Sequence, residues 1–172
     1  MPDARIRLDN ARKLFDAGRY AQAAENYSAV VAADATCAFA FSERARCHYR
    51  MGLLNMALAD VSRAIELSPQ TASYRFTRGR YCLEAGQFHD GCVNFAAVID
   101  LEDGQQERPF SEAAALFRAE ANLELKQFKE ALRDCTRIRD DISLYVRGRL
   151  RTRADIERDA RAGLAAYKGT GK

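Results

Sequence analysis

Three glycines, Gly18, Gly52 and Gly86, stand thirty-four residues apart, and this spacing constrains the fold more than any other feature of the chain. An apolar pattern of helical period ends just before each glycine, and another begins two residues after it. Glycine ends a helix readily because it adopts the left-handed backbone conformation. A fixed period of roughly 20–50 residues is typical of stacked repeats. The chain is therefore predicted to be all-α and built from helical hairpins.

The second helix of each predicted hairpin has a small residue at a fixed place and a bulky residue four positions later. The small residues are Ala23, Ala57 and Gly91, and the bulky residues are Tyr27, Val61 and Phe95. Residues four apart share one face of a helix, so this pattern predicts interlocking packing. A fourth copy is displaced by forty residues and has Lys126 at the glycine position.

The repeat frame predicts hairpins over residues 4–37, 38–71, 72–103 and 112–141. The polar stretch near 103–111 contains a glycine and a proline and is predicted to be an inserted surface loop. Apolar residues of 142–167 recur at helical spacings, which predicts a C-terminal helix that caps the stack. Residues 168–172 are expected to be a disordered tail.

The second unit, from Phe41 through Ala57 to Pro69, resembles the tetratricopeptide repeat (TPR), and the resemblance extends over roughly residues 4–140. It rests on the period, the small residues and the terminal proline together. The resemblance implies a right-handed superhelical solenoid whose first helices line a concave groove. It also implies a protein-interaction module, an adaptor or co-chaperone-like protein that binds a peptide segment of its partner in that groove.

If first helices line the groove, three arginines occupy the same place in successive repeats: Arg12, Arg46 and Arg80. A row of guanidinium groups suits an acidic or extended peptide, because guanidinium binds carboxylates through paired hydrogen bonds. The other predicted groove residues are Asp9, Phe39, Glu43, Arg50 and Phe76. The alternative is that these arginines pair with acids of the same groove, namely Asp9, Glu43 and Glu84.

One activity of the family is not carried by this chain. Some members hold the acidic C-terminus of heat-shock chaperones with two lysines, two asparagines and an arginine. The matching positions here are Leu8, Arg12, Glu43, Ser73 and Thr77. The sequence therefore disfavours a chaperone-tail adaptor of that kind.

Two alternative functions remain open. The first is nucleic-acid binding by the arginine-rich C-terminal helix, which is predicted to carry Arg147, Arg149, Arg151 and Arg153, with Arg137 and Arg139 just before it. Aspartate and glutamate are interleaved with them, which is typical of a solvated face. The second alternative is a short bacterial secretion chaperone of the TPR type. Self-association through the last helix is also left open.

Composition narrows the remaining classes. The formal net charge of +3 is too small to require nucleic acid or anionic lipid as a partner. Neither a signal peptide nor a membrane span is evident, and the five cysteines include no Cys-x-x-Cys pair, so a cytoplasmic location is expected. His48 and His89 lie in different repeats and belong to no catalytic motif. No enzymatic activity, cofactor or metal site is expected.

Overall fold

The computed structural model describes residues 2–169, with side chains for residues 4–167, and most of this part is helical. The helices are α1 (Pro2–Asp16), α2 (Tyr20–Ala33), α3 (Ala38–Arg50), α4 (Leu54–Leu67), α5 (Ala72–Glu84), α6 (Phe88–Glu102), α7 (Ser111–Glu124), α8 (Phe128–Cys135) and α9 (Arg153–Gly169). Two strands, β1 (Ser143–Val146) and β2 (Arg149–Thr152), precede α9. The predicted all-α class of helical hairpins is confirmed.

The chain divides into two compact units, Met1–Tyr81 and Cys82–Lys172. In the first unit α1 packs on α2, α2 on α3, and α3 on α4. In the second unit α6 packs on α7, α7 on α8, and α8 on α9. Among the described residues, no helix is both long enough and apolar enough to cross a membrane.

The turns between paired helices repeat one backbone geometry. Gly18, Gly52 and Gly86 have φ of 75°, 76° and 72°, and Lys126 takes the same conformation with φ of 58°. In each turn the residue after this position donates its N–H to a carbonyl five residues earlier, as Leu53 does to His48 at 2.9 Å. This bond satisfies a carbonyl that the helix end leaves unpaired. Lys126 therefore replaces glycine without changing the turn.

Small residues occupy the places where the two helices of a hairpin approach. These fully buried positions are Ala11 and Ala23, Ala45 and Ala57, and Ala119 and Ala131. Larger side chains fill the space beside them, with Tyr27 1% exposed in the first unit and Phe95 fully buried in the second. The interlocking of small and bulky residues predicted from the sequence is present in both units.

A nearly buried arginine–aspartate pair recurs in the second and fourth hairpins. Arg44 of α3 donates to both carboxylate oxygens of Asp60 in α4, at 2.8 and 2.6 Å. Arg118 of α7 binds both oxygens of Asp134 in α8, with Nε at 3.1 and 3.0 Å. Asp60 is 7% exposed and Asp134 is 3% exposed. Each pair joins the two helices of its hairpin through charge-assisted hydrogen bonds.

The residue one turn after each of these arginines also lies beside the aspartate. Asn122 donates from Nδ2 to Asp134 at 3.2 Å. His48 holds the equivalent place, and its Nδ1 lies 3.0 Å from Asp60 Oδ2 but is poorly directed for a hydrogen bond. His48 is buried, in agreement with a structural role for this histidine.

The segment between α6 and α7 is closed by one side chain. Glu102, the last residue of α6, is 3% exposed. Its carboxylate accepts from the Phe110 N–H at 3.2 Å and from Ser111 Oγ at 2.6 Å. These groups begin α7, where backbone N–H groups lack helical partners and favour a negative charge. Glu102 therefore fastens both ends of the inserted loop.

Residues 142–167 do not form the single capping helix predicted from the sequence. β1 and β2 pair antiparallel, with Val146 opposite Arg149, and the helix begins only at Arg153. The two turn residues Arg147 and Gly148 have φ of 49° and 78°, the conformation that a two-residue hairpin turn requires. Burial along β1 alternates with a period of two, Leu144 and Val146 inward and Tyr145 outward. The period-two burial and the left-handed turn therefore favour a β-hairpin here, although the apolar residues also recur at helical spacings.

Helix α9 packs on α8 and α7 within the second unit. It continues to Gly169, so residues 168–169 of the predicted disordered tail belong to it. Residues 170–172 of that tail lie outside the described residues.

Replacing Glu102 with alanine is expected to lower the free energy of unfolding by about 1–3 kcal/mol, because the Phe110 N–H and the Ser111 hydroxyl lose their acceptor. Urea denaturation measures the change. The neighbouring Asp103→Ala variant is the control, because Asp103 is exposed. Equal effects of the two substitutions would contradict the role of Glu102 in closing the loop.

Replacing Asp134 with alanine should cost about 2–4 kcal/mol of stability, because Arg118, whose side chain is only 21% exposed, loses its carboxylate. The matched control is Glu66→Ala, which breaks the exposed pair between Arg63 and Glu66. That change should cost less than about 0.5 kcal/mol. Similar losses in the two variants would show that burial adds nothing to the Arg118–Asp134 pair.

Candidate functional site

The predicted groove residues all lie in the first unit, on the first helices of the first three hairpins. Asp9 and Arg12 lie on α1, Phe39, Glu43, Arg46 and Arg50 on α3, and Phe76 and Arg80 on α5. The four residues of α3 are spaced three or four apart and therefore share one face of that helix. Glu43 and Phe76 are half-buried, and the other six are exposed. We call these eight residues the first-helix surface.

Arg46 is paired within its own helix. Its Nη1 donates to both carboxylate oxygens of Glu43, at 2.9 and 2.8 Å. The Glu43 side chain is 14% exposed, whereas that of Arg46 is 47% exposed. Burial lowers the pKa of Arg46, but the hydrogen bond and charge of Glu43 outweigh burial and raise it. Of the two interpretations of the arginine row, pairing with a groove acid therefore applies to Arg46.

Two tyrosines beneath the surface connect its three helices electrostatically. Burial raises the pKa of the Tyr27 hydroxyl and Glu43 raises it further, while the positive charges of Arg46 and Arg12 oppose the shift. Burial also raises the pKa of Tyr81, against the charges of Arg80 and Arg46. Arg46 therefore acts on both tyrosines, together with Arg12 on Tyr27 and with Arg80 on Tyr81.

Aromatic rings from the first hairpin lie under the arginines of α3. The guanidinium carbon of Arg46 is 4.6 Å from the centre of the Phe15 ring. That of Arg50 is 4.6 Å from the Tyr20 ring centre and 5.9 Å from Phe15. The two rings meet edge to face, with centres 5.2 Å apart. Cations over aromatic faces are attracted by the ring quadrupole, so this arrangement orients both guanidinium groups.

Phe15 and Tyr20 were not among the residues predicted for the site. They lie at the end of α1 and the start of α2, about thirty residues before the arginines that they contact. The sequence does predict that Arg46 and Arg50 share a helix face, because they are four residues apart. Which rings would lie beneath that face depends on how neighbouring hairpins pack.

Cys47, on α3 between these arginines and the core, is fully buried. Burial raises the pKa of its thiol to about 11, and Glu43 contributes to the increase. Cys92 and Cys135 in the second unit are raised to about 11 as well, again chiefly by burial. A thiol with a raised pKa is a poor nucleophile because the thiolate is the reactive form. These cysteines are packing residues.

The arginine-rich C-terminal segment is largely paired with acids of the second unit. Arg139 lies 3.0 Å from Glu112, Arg147 2.8 Å from Glu124, and Arg151 2.9 Å from Glu120. Arg153 binds Glu157 at 2.8 Å. Arg137 and Arg149 are exposed. Four of the six arginines considered for nucleic-acid binding thus have carboxylate partners.

The acids that receive this segment lie mainly on α7. Glu112, Glu120 and Glu124 are all on that helix, and β1 packs against it. The Arg151–Glu120 pair is the most enclosed, with side chains 12% and 15% exposed. In the second unit the first-helix side chains of the fourth repeat are therefore engaged by the chain's own hairpin.

No family model matches the chain. The DnaJ homolog subfamily C member 3 of Rattus norvegicus is 30% identical over 105 residues, which cover 61% of this chain and 21% of that protein. The protein of the same name from Gallus gallus is 29% identical over 100 residues, covering 58% of this chain and 20% of that protein. The chain thus spans about a fifth of the length of these curated relatives.

Solved structures extend the similarity to the whole chain. The crystal structure of MamA superposes with a TM-score of 0.73 at 15% identity, covering 98% of this chain and 83% of MamA. The TPR2B domain of yeast Sti1, in complex with pHsp70, gives 0.68 at 14% identity, covering 72% and 99%. The Yersinia enterocolitica type III secretion chaperone SycD, with a peptide of the translocator YopD, gives 0.68 at 15% identity, covering 73% and 96%. The resemblance found in the sequence is confirmed, and this chain has the tetratricopeptide-repeat fold.

Proposed function

We propose that this chain is a protein-interaction module, an adaptor or co-chaperone-like protein, that binds a peptide segment of a partner on the first-helix surface. The observation that carries the proposal is the composition of that surface. Phe39 is 39% exposed on the same helix face as Arg46 and Arg50, whose guanidinium groups rest on aromatic rings. An exposed aromatic beside oriented cations provides both an apolar contact and hydrogen-bond donors for a peptide.

The similar proteins support this function. SycD is described with a peptide of YopD, and the Sti1 domain with pHsp70. The relatives that share the sequence carry the name DnaJ homolog. A binding role rather than catalysis agrees with the burial of Cys47 and Cys135 and the partial burial of Cys92, whose raised pKa values make them poor nucleophiles. The excess of arginine on the surface favours a peptide that carries acidic groups.

The short bacterial secretion chaperone is the second candidate, and the similarity to SycD favours it. Both candidates use the same surface and differ in the partner. Nucleic-acid binding is less well supported, because arginines that already hold carboxylates must give them up to bind phosphate. The free state of all five cysteines favours the reducing cytoplasm as the location.

Photo-crosslinking tests the binding surface directly. Benzoylphenylalanine placed at Phe39 is expected to form covalent adducts with specific proteins in a lysate of the source cells, and nuclease should not remove them. The control carries the same group at Met56 of α4, which is 50% exposed but lies on a second helix. It should lack those adducts. Gel analysis and mass spectrometry identify the products.

Removing positive charge from the first-helix surface tests how strongly its arginines contribute to binding. Arg12→Gln with Arg80→Gln should reduce the adduct yield from position 39 about tenfold, because two charge-assisted contacts are lost. The matched control is Arg63→Gln with Arg161→Gln, two exposed arginines on α4 and α9. Identical adducts at positions 39 and 56, or adducts that nuclease abolishes, would refute the proposed surface.

A further inference from the structure

Arg50 differs from three other arginines that stack on aromatic rings, namely Arg44, Arg46 and Arg147. Arg46 stacks on Phe15 and binds Glu43. Arg50 stacks on both Tyr20 and Phe15. Within the part of the chain that the structure describes, however, no carboxylate lies within ion-pair distance of it. Asp16, which follows Phe15 directly, is exposed and forms no ion pair with Arg50.

Two further arginines show what a stacked guanidinium binds in this molecule. Arg44 lies 5.4 Å from the centre of the Phe41 ring and binds Asp60. Arg147 lies 5.2 Å from the centre of the Phe88 ring and binds Glu124 at 2.8 Å. In all three cases an aromatic ring lies beside the cation and a carboxylate accepts hydrogen bonds from its N–H groups. Arg50 has the ring but lacks the carboxylate.

We propose that Arg50, held on Tyr20 and Phe15, is the anchor for a carboxylate of the bound peptide. This inference rests on the proposed function and identifies the group of the partner that the first-helix surface recognises. The carboxylate comes either from an acidic side chain or from the C-terminus of the peptide, since both present the same two oxygens.

Stacking makes Arg50 suitable for this role. The guanidinium carries five N–H donors in a planar fork, and among the described residues no carboxylate binds those of Arg50, so they suit a two-oxygen acceptor. Because the rings already restrict the side chain, less conformational entropy is lost when the ligand binds. A freely rotating surface arginine lacks this advantage.

The charges around Arg50 also favour an anion. Arg46, one turn earlier on α3, is compensated by Glu43 and offers little net charge. Arg50 therefore contributes an uncompensated positive charge at the C-terminal end of α3. That end of a helix favours cations, so the position suits a guanidinium group. A carboxylate that binds Arg50 also approaches Arg46 over the shared Phe15 ring.

The site is tested with three small probes at constant ionic strength. N-acetylglutamate α-amide carries only a side-chain carboxylate, N-acetylglycine only a terminal carboxylate, and N-acetylglycinamide neither. The Nε–Hε resonance of Arg50 in the full chain is followed by NMR, with exposed Arg19 as the matched unstacked control. We expect Arg50 to saturate with half-saturation at roughly 10–100 mM for a carboxylate probe, and not for the amide. The better carboxylate probe identifies the source.

Three variants separate anchoring from general charge. Tyr20→Phe should keep the Arg50 response because the ring remains, whereas Tyr20→Leu should weaken it several-fold. Glu43→Gln should add a response at Arg46, because its internal carboxylate is removed. Circular dichroism checks that each variant is folded. An Arg50 response equal to that of Arg19, or one indifferent to Tyr20→Leu in a folded protein, would overturn the anchor.

A final measurement distinguishes failure of the anchor from failure of the proposed function. Arg50→Gln should reduce the adducts formed from position 39 at least fivefold, and Arg19→Gln should leave them unchanged. If the adducts persist in Arg50→Gln, the anchor is wrong and the binding surface stands. If wild type gives no specific adducts at position 39, the proposed function fails, and the NMR response alone then decides whether Arg50 binds carboxylates.

Discussion

The close approach of paired helices at small residues is the constraint on which the rest of the structure depends. Ala11 and Ala23, and Ala45 and Ala57, are fully buried because the helices leave no room there for a larger side chain. This contact fixes which face of each first helix points inward. The residue after the small one is exposed, and it is Arg12 on α1 and Arg46 on α3, the same position of successive repeats. Function in such a fold depends on residues that the packing leaves free.

Charged pairs serve two different purposes on this scaffold. Arg44 with Asp60 and Arg118 with Asp134 are mostly enclosed and join the two helices of a hairpin. Arg46 with Glu43 is exposed on its arginine side and lies within one helix, so it contributes little stability. It does set the charge of the first-helix surface, because Glu43 neutralises Arg46 while, among the described residues, no carboxylate pairs with Arg50. The difference follows from burial and not from residue type.

The hairpins could be predicted from the sequence because their determinants are local and periodic. The glycine spacing and the alternation of small and bulky residues can be recognised without knowledge of tertiary contacts. Lys126 occupies the glycine position of the fourth repeat. The strands at Ser143–Val146 and Arg149–Thr152 were missed because Val146 and Leu150 are four apart and continue into the helical spacing that follows. The choice between the periods depends on the left-handed turn at Arg147. The ring stack at Arg50 was missed because it forms between residues of different hairpins.

The closure of the loop by Glu102 determines how easily the segment between α6 and α7 can change in length. Its carboxylate holds the start of α7 directly against the end of α6, so the residues between them are bypassed. Lengthening a loop whose ends are already fixed costs little additional entropy. The intervening segment can therefore gain or lose residues while the flanking helices keep their contact. The inserted loop between α6 and α7 is therefore a suitable place to add a fluorescent label or a recognition tag.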